Sequence, residues 1–405
     1  MKNAVIELVY FDAGGGHRSA MEALSVVLKE TYPDWTIVPV DVQKLLEPAD
    51  PVYRVTKTVL PPLKKMALSF DRDFPLQPLQ SQTVYNNAIK RGYTRGFGLM
   101  LRTMQRVIRK KAPQLEGLLR AYWQRHETKK PDLVVSLIPN FNGVLYRALK
   151  EVYPYAPYVT IMTDLIDVPP HFWMEDQDQT FICSSPIARK QAEATGFYAP
   201  KQIIEVSGLI LKKGFYRAAQ DYKLRREDLG LTPELPTALV MFGGNGSLLA
   251  RDIVAKLSVL EQPVQSIVLC GKNTPLLEML RGVPLCHAVG FTSDVASYMR
   301  LADFFIGKPG ATSVAEALHM GCPLMLERNT RTMPQERPNA DWIADNGFGI
   351  AVRSLSRGIK KPIRHMLESL PEFKENIRHQ LPENRAVFEI AALLPQLIRK
   401  DPRRI

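Results

Sequence analysis

The sequence predicts an α/β fold with two domains, each built around a parallel β-sheet. Residues 4–11, AVIELVYF, form an apolar run that leads into a glycine turn and then into apolar residues at helical spacing. Such a run is typical of a strand that is buried on both faces of a parallel sheet. Residues 238–247, ALVMFGGNGS, begin a second unit of the same kind. With 405 residues, the chain is longer than one hydrophobic core usually supports, so we expect two Rossmann-like units.

Further strands and a linker complete the expected organisation. The first domain, residues 1–209, contains additional expected strands at 36–40, 133–137, 158–162, 181–184 and 205–208. The linker is expected at 210–216, and the second domain, counted from 210 to 370, adds strands at 265–270, 304–306 and 323–326. Residues 371–405 are expected to be helices that pack back on the first domain.

The composition excludes several classes of protein. At 45% hydrophobic and 23% charged residues, the chain is globular rather than disordered. Its four cysteines show no Cys-x-x-Cys spacing, which favours buried thiols and a reducing cytosol. The first apolar run is too short for a signal peptide, and no run of about 18 uncharged apolar residues could span a bilayer. We therefore expect a cytoplasmic protein whose contact with a membrane is peripheral.

Positive charge is concentrated in one segment. The net charge is +12, and residues 51–130 contain seventeen Lys and Arg residues but four acidic residues. Within this segment a predicted helix has six apolar residues on one face and four basic residues elsewhere around it. The apolar residues are Phe97, Met100, Leu101, Met104, Val107 and Ile108, and the basic residues are Arg102, Arg106, Arg109 and Lys110.

A basic amphipathic helix suits the headgroup region of an anionic membrane. An ordinary core-facing helix with a solvated basic face shows the same pattern, but the extent of the charge excess favours membrane contact. Nucleic acid is the other partner that a basic protein suggests. The sequence shows no zinc spacing, no aromatic RNP-like run and no helix-turn-helix signature, so we expect no nucleic-acid binding.

The stretch from 302 to 349 combines two features of a ligand site. After an apolar strand the chain turns at GKPG (307–310), and a helix begins near residues 311–313. The free N–H groups and positive dipole end of such a helix favour the binding of an anion. Further along, the amide of Gln335 and the carboxylate of Glu336 can bind sugar hydroxyl groups through hydrogen bonds. Groups for a phosphate and for a sugar therefore follow one another closely.

These residues carry a resemblance to a known family. GKPGATSVAEAL (307–318), followed by PQERPNA (334–340), resembles the donor-site signature of the family 28 glycosyltransferases, and within them the enzymes that glycosylate diacylglycerol. DAGGGHRSA (12–20) resembles the DxGGGHR turn of the same plant and bacterial enzymes, where it faces the acceptor. FGGNG (242–246) is similar to their GGGxG loop, and TDL (163–165) matches their TDL. The resemblance implies the GT-B architecture, in which two Rossmann-like domains face each other across a cleft.

The resemblance also implies roles for individual residues. His17 would remove the proton of the acceptor hydroxyl, for which an imidazole near its ordinary pKa is suited at neutral pH, and Asp164 would be a second catalytic residue. Glu316 would bind the ribose, and Gln335 and Glu336 the sugar. The other implied donor-site residues are Gly243, Gly244, Asn245 and Gly246 in the glycine loop, Thr312 and Ser313 at the helix start, Phe291 at the base, and Asn339.

This sequence departs from the family pattern in two places. Relatives usually have Pro-Gly-Gln-Glu where this chain has MPQE (333–336), so galactose and glucose both stay open as the donor sugar. IDVPP (166–170) differs from the family in composition. It precedes His171 and Trp173, which stand where relatives keep a His and a Trp.

The implied activity is an inverting transfer of galactose or glucose from UDP-galactose or UDP-glucose to diacylglycerol or a related lipid, on the inner face of the cell membrane. We expect no cofactor and no metal. The Asp-x-Asp triplets at 71–73 and 176–178 lie away from the phosphate loops, and amides and helix dipoles can stabilise the charge of a leaving diphosphate.

Three alternatives stay open. A nucleotide-sugar 2-epimerase or hydrolase of the same architecture would leave the basic segment unexplained. A non-catalytic lipid-binding protein would leave His17 and the Gln335-Glu336 pair unexplained. A transferase that acts on a cell-wall lipid precursor is the nearest alternative within the same class.

Overall fold

The structure, a computed structural model, describes residues 3–11, 15–49, 97–125, 129–168, 171–330 and 332–398. These residues form two six-stranded sheets in which every pairing is parallel. No helix in these ranges is long and apolar enough to cross a membrane. The predicted fold class, two Rossmann-like α/β units, is confirmed.

The first sheet has the strand order β2-β1-β3-β4-β5-β6. Its elements are β1 (Val5–Tyr10), α1 (Gly16–Thr31), β2 (Thr36–Asp41), α2 (Val42–Leu46), α3 (Phe97–Trp123), β3 (Leu133–Ser136), α4 (Asn142–Val152), β4 (Tyr158–Ile161), β5 (Thr180–Cys183), α5 (Pro186–Thr195) and β6 (Ile203–Glu205). Ile6 and Leu8 of β1 pack in one core with α1, whereas Val9 packs in a second core with α3. The strand is therefore buried on both faces, as its sequence predicts. Its one charged residue, Glu7, is also buried and accepts a hydrogen bond from Trp123 Nε1 at 2.8 Å.

The second sheet has the order β9-β8-β7-β10-β11-β12, which is the 3-2-1-4-5-6 order of dinucleotide-binding sheets. Its elements are β7 (Thr237–Met241), α6 (Leu249–Leu257), β8 (Gln265–Leu269), α7 (Thr274–Leu280), β9 (Cys286–Val289), α8 (Val295–Arg300), β10 (Phe304–Gly307), α9 (Ala311–His319), β11 (Leu324–Glu327), α10 (Arg337–Asp345), β12 (Gly349–Val352), α11 (Lys360–Glu368) and α12 (Leu370–Gln380). Its strands are buried between two hydrophobic cores.

The chain crosses between the domains twice. In the linker, Ile210 packs in the first-domain core and the next residue, Leu211, packs in a second-domain core. The chain returns between α12 and the last helix, α13 (Ala386–Leu397), which packs against α1. This return lies later than the expected boundary at 371, because Phe373 and Ile377 of α12 pack in second-domain cores.

The strand expected at 205–208 lies earlier in the chain. β6 ends at Glu205, and the backbone N–H of Ser207 donates to a carboxylate oxygen of Glu389 at 2.8 Å instead of joining the sheet. This contact connects the end of the first sheet to α13.

Helix α3 differs from the predicted amphipathic pattern. Ile108 is buried together with Leu115 and Leu119 in a first-domain core, whereas Val107 is 44% exposed. The prediction that Val107 and Ile108 share one apolar face is therefore wrong, because successive helical residues diverge by about 100°. The side chains of 97–101 lie outside the described residues. The core-facing interpretation thus holds from Ile108 to Trp123. Arg102, Arg106, Arg109 and Lys110 are exposed, as both interpretations of this helix expect.

Candidate active site between the two sheets

The predicted site residues gather at the carboxyl ends of both sheets. In the second sheet the strand order reverses between β7 and β10, and the loops 243–246 and 308–310 follow these strands. Ligands of open α/β sheets bind at such reversal points. In the first sheet the order reverses at β1, which leads to His17. A Cβ atom placed on Gly16 would lie 3.0 Å from the Thr312 hydroxyl oxygen, so the first residue of α1 lies against the start of α9.

His17 lies in the first turn of α1, after Gly15 in the left-handed conformation with φ 90°. Its Nδ1 lies 2.9 Å from the hydroxyl oxygen of Thr163, at the end of β4. Burial lowers the pKa of His17 from 6.5 to about 4, and a hydrogen bond with the backbone of Leu137 opposes that shift. The expectation of an ordinary imidazole pKa is therefore wrong. The imidazole is neutral at physiological pH and can accept a proton.

Trp173 lies beside this histidine. Its ring centroid is 5.8 Å from that of His17, and its Nε1 donates to Asp164 Oδ2 at 2.8 Å. Burial raises the pKa of Asp164 to about 6, with further upward contributions from Glu336 and Asp167 and an opposing one from the Trp173 hydrogen bond. The Trp173 ring thus connects Asp164, which accepts its hydrogen bond, with His17, against which it packs. The negative charge of Glu336 in the other domain also acts on the pKa of Asp164.

His171 has a peripheral position. Its side chain is exposed, and its ring packs 5.2 Å from that of Phe197. The buried carboxylate of Asp167 accepts the backbone N–H groups of His171 and Trp173, both at 2.9 Å. Sequence reasoning gave Asp167 no role. Its position in the divergent IDVPP stretch was the available signal, since a carboxylate in a turn commonly binds nearby backbone N–H groups.

The glycine loop after β7 packs tightly against the loop after β8. Gly243 and Gly246 have φ of 74° and 61°, and a Cβ atom on Gly246 would lie 2.2 Å from the Cys270 carbonyl oxygen. The backbone N–H of Lys272 donates to the Gly244 carbonyl at 2.9 Å. Glycine is therefore required by both conformation and space at Gly246. Gly244 and Asn245 are exposed at the rim of the cleft.

Helix α9 begins at Ala311 beside this loop, and Gly310 precedes it without a side-chain cap. The backbone N–H groups of the first residues of the helix, which include Thr312 and Ser313, have no partner within the helix and are suited to bind an anion. One turn further along, Glu316 is 8% exposed. Burial raises the pKa of Glu316 to about 8, and the positive charge of Lys212 in the linker opposes that shift.

The segment before α10 and the first turn of that helix supply three polar side chains. Glu336 Oε1 accepts from Lys308 Nζ at 2.9 Å, and Asn339 Nδ2 donates to the Pro309 carbonyl at 3.0 Å. Gln335 Oε1 and Asn339 Oδ1 are buried and have no hydrogen-bond partner among the described residues. Buried acceptors of this kind are uncommon, and sugar hydroxyl groups could donate to them.

Lys308 is a site residue that the sequence interpretation missed. Its Cε lies 3.8 Å from a Cβ atom placed on Gly243, and its Nζ lies 3.8 Å from one placed on Gly310. The ammonium group therefore stands between the glycine loop, the start of α9 and Glu336. Its place in the turn directly after a buried strand was the signal that could have identified it.

Phe291 follows β9 and is 66% exposed. Lys272 Nζ lies 5.7 Å from the centroid of its ring. A groove beside it is lined by Leu277, His287 and Gly290. An exposed aromatic ring beside a groove is suited to stack on a planar base.

The residues that the structure describes contain no cluster of three or more His, Cys, Asp or Glu side chains that could hold a metal. Asp178 of the second Asp-x-Asp triplet accepts a hydrogen bond from Gln202 at 2.8 Å. The triplet at 71–73 lies outside the described residues. The four cysteines, all within the described ranges, are free thiols.

Comparison with known proteins agrees with the donor-side geometry. The family model "Glycosyltransferase family 28 C-terminal domain" matches residues 237–387. The matched residues begin at β7 and end in α13, so they are similar to that domain over the whole second sheet. The match contains every predicted donor-site residue and excludes His17 and Asp164.

Curated relatives extend the resemblance to the first domain. "Probable monogalactosyldiacylglycerol synthase 2, chloroplastic" of Oryza sativa subsp. indica is 30% identical over 275 residues, which are 64% of this chain and 57% of the rice protein. "Monogalactosyldiacylglycerol synthase, chloroplastic" of Spinacia oleracea is 25% identical over 406 residues, which are 96% of this chain and 72% of the spinach protein. The chain thus spans little more than half the length of the rice relative. The resemblance predicted from the sequence is confirmed.

Solved structures bear on the fold alone. Spinosyn rhamnosyltransferase SpnG has a TM-score of 0.59 at 13% identity, with 98% of this chain and 100% of that chain covered. A putative UDP-N-acetylglucosamine 2-epimerase from Listeria monocytogenes has a TM-score of 0.55 at 13% identity, with 97% and 96% covered. The predicted GT-B architecture is confirmed, and it is shared by transferases and epimerases.

Proposed function

We propose that this protein is an inverting glycosyltransferase that moves galactose or glucose from a UDP-hexose to diacylglycerol at the surface of an anionic membrane. The observation that carries the proposal is the contact between the starts of α1 and α9, where Gly16, next to His17, meets Thr312. This closeness supports a site in which His17, the proposed proton acceptor of the first domain, would lie beside the helix start that would bind the diphosphate. The names of the relatives support the acceptor, since they are monogalactosyldiacylglycerol synthases.

The second domain would hold the donor. The diphosphate would lie between the glycine loop 243–246 and the start of α9, where backbone N–H groups and Lys308 balance its charge. Glu316 would accept hydrogen bonds from the ribose, and Phe291 would stack on the uracil. Gln335, Glu336 and Asn339 would bind the hexose, because the side-chain oxygens of Gln335 and Asn339 are buried and have no partner in the part of the chain that the structure describes.

The first domain would carry out the proton transfer. The acceptor oxygen forms a bond to the anomeric carbon while the bond from that carbon to the UDP oxygen breaks, and UDP leaves with the electron pair. His17 takes the hydroxyl proton, with its ring oriented by Thr163 and Trp173. The charge of the bound diphosphate would raise the pKa of His17 from about 4 and make it a stronger base during the reaction. No metal enters this scheme.

The basic face of α3 would contact the membrane. Arg102, Arg106, Arg109 and Lys110 are exposed, and a cationic face is attracted to anionic lipids. The location on the inner face of the cell membrane stays a prediction, and the plant relatives are named as chloroplast proteins.

The function is tested by incubating the full chain with vesicles of phosphatidylglycerol and diacylglycerol, and with labelled UDP-galactose or UDP-glucose. We expect labelled glycolipid with the β configuration at the anomeric carbon. Vesicles without diacylglycerol are the control and should give none. Release of free hexose, or conversion of the UDP-sugar without an acceptor, would instead support the epimerase or hydrolase alternative. The fold of this chain resembles that of the putative Listeria epimerase, so this alternative is tested in the same experiment. Product only with a cell-wall lipid precursor would change the acceptor.

A further inference from the structure

We propose that Gln105 is a positioning residue that ties helix α3 to the two loops beside His17. This inference rests on the proposed function, because it takes His17 as the group that receives the proton. Gln105 lies in the half of α3 that carries the exposed basic residues, so the contact would connect the outer face of the protein with the acceptor side of the cleft.

The amide of Gln105 joins two loops that are distant in the sequence. Its Nε2 donates to Asn140 Oδ1 at 3.1 Å and to the carbonyl oxygen of His171 at 3.3 Å. Because a carbonyl can only accept, the second contact requires the NH₂ end of the amide at this position. The backbone N–H of Asn140 donates in turn to the Phe172 carbonyl at 2.8 Å. The two loops are therefore connected directly and also through Gln105.

Both loops are held in an uncommon backbone conformation at these contacts. Asn140 has φ 65° and His171 has φ 60°, in the left-handed region that residues other than glycine seldom adopt. Such conformations persist where surrounding contacts fix them. Asn140 is 7% exposed, and its side-chain oxygen receives the Gln105 hydrogen bond, so Gln105 is one of those contacts.

The same loops flank the candidate base. Leu137, three residues before Asn140, forms the backbone hydrogen bond that acts on His17. Trp173, two residues after His171, packs its ring beside the imidazole and donates to Asp164. A change in either loop would therefore move groups that orient His17. No residue of the donor site lies in these loops.

Gln105→Met tests the inference, because Met keeps the length of the side chain and removes both N–H donors. We expect kcat for glycolipid formation to fall by about ten- to a hundredfold, since small misplacements of reacting groups cost rate on that scale. The KM for UDP-hexose should stay at the wild-type value. Gln114→Met, at an exposed position of the same helix, is the matched control and should keep wild-type kcat. Urea unfolding of each variant confirms that it is folded.

A double variant sharpens the test. Asn140→Gly removes the side-chain oxygen but still allows a positive φ. If Gln105 acts through Asn140, adding Gln105→Met to Asn140→Gly should lower kcat by less than Gln105→Met does alone. If Gln105→Met does not fold, kcat is measured for Gln105→Glu instead, because an ionised glutamate also lacks the N–H donors.

Two results would overturn the inference. Wild-type kcat in the folded Gln105 variant would show that the contact does not position the base, and a raised KM for UDP-hexose with unchanged kcat would place its effect on the donor. Absence of transfer by the wild-type protein itself, with every UDP-hexose, would instead refute the proposed function.

Discussion

The two domains build their parts of the site in different ways. In the second domain the contacts join nearby parts of the chain: Lys308 pairs with Glu336, 28 residues away, and Asn339 with Pro309, 30 residues away. In the first domain His17 meets Thr163, which is 146 residues away. These two contacts thus join consecutive strand–loop–helix units, the one that begins at β10 and the one that begins at β11. The acceptor side depends on the packing of the whole first domain, including α3.

This difference predicts that substitutions on the two sides separate into two classes. Changes in the first domain should lower the rate or the membrane affinity and leave nucleotide affinity unchanged. Changes in the second domain should alter nucleotide affinity directly. A first-domain variant with altered nucleotide affinity, or a second-domain site variant with unaltered nucleotide affinity, would contradict this division.

The largest effect is expected for His17→Ala. Loss of a general base typically costs about a hundred- to ten-thousandfold in rate, so kcat for glycolipid formation should fall by that amount. The affinity for UDP, measured by calorimetry, should stay at the wild-type value. Turnover within about tenfold of wild type would remove His17 from the mechanism.

Reversal of charge on α3 should have the next largest effect. Each Lys or Arg near an anionic surface contributes about 1 kcal/mol, and the attraction weakens as salt shortens the Debye length. Changing Arg102, Arg106, Arg109 and Lys110 to Glu should therefore abolish co-sedimentation with phosphatidylglycerol vesicles at low salt and leave UDP binding unchanged. Arg225 and Arg251, exposed in the second domain, offer control reversals. Equal sedimentation of both proteins would contradict the proposed membrane face.

Glu316→Ala should act on the donor side. Above pH 8, where Glu316 is ionised, a hydrogen bond to its charged carboxylate contributes roughly 1.5–3 kcal/mol. At such a pH the Kd for UDP should rise by about ten- to a hundredfold for each such bond lost. Glu368→Ala, at the end of α11, is a control outside the cleft. Unchanged UDP affinity in Glu316→Ala would show that the ribose lies elsewhere.

The smallest effect concerns stability. Burial raises the pKa of Glu316 from 4.5 to about 8, so the folded state holds a proton that the unfolded state releases. This contribution to stability is complete below pH 4.5 and is lost as pH rises to about 8. In Glu316→Gln the loss is absent, and the variant should gain about 1–3 kcal/mol over wild type between pH 5 and pH 8.

Urea unfolding at the two pH values measures this gain. Glu7, whose pKa burial raises to about 7, contributes in the same direction in both proteins and therefore cancels from the difference. A pH dependence that is the same in Glu316→Gln and in wild type would contradict the assigned protonation of Glu316.

The contrast between the domains also explains what could be predicted from the sequence. The glycine loop and the start of α9 follow buried strands directly, so local pattern was enough to locate them. Gln105 and Lys308 were missed because their partners, Asn140 and Glu336, come close only in the folded chain. Asp167 binds backbone N–H groups four and six residues further along, so its signal was local and lay in the divergent IDVPP stretch. The pKa of His17 was predicted wrongly because burial in the folded chain lowers it, and its neighbours Thr163 and Trp173 are distant in the sequence.

The division between the two domains is tested most directly by hydrogen–deuterium exchange of the full chain, with UDP and separately with phosphatidylglycerol vesicles. UDP should slow exchange in residues 243–247 and 311–316 and leave α3 unchanged. Vesicles should slow exchange in the first half of α3 and leave the two second-domain segments unchanged. Protection of α3 by UDP, or no protection of 243–247 and 311–316, would contradict the account.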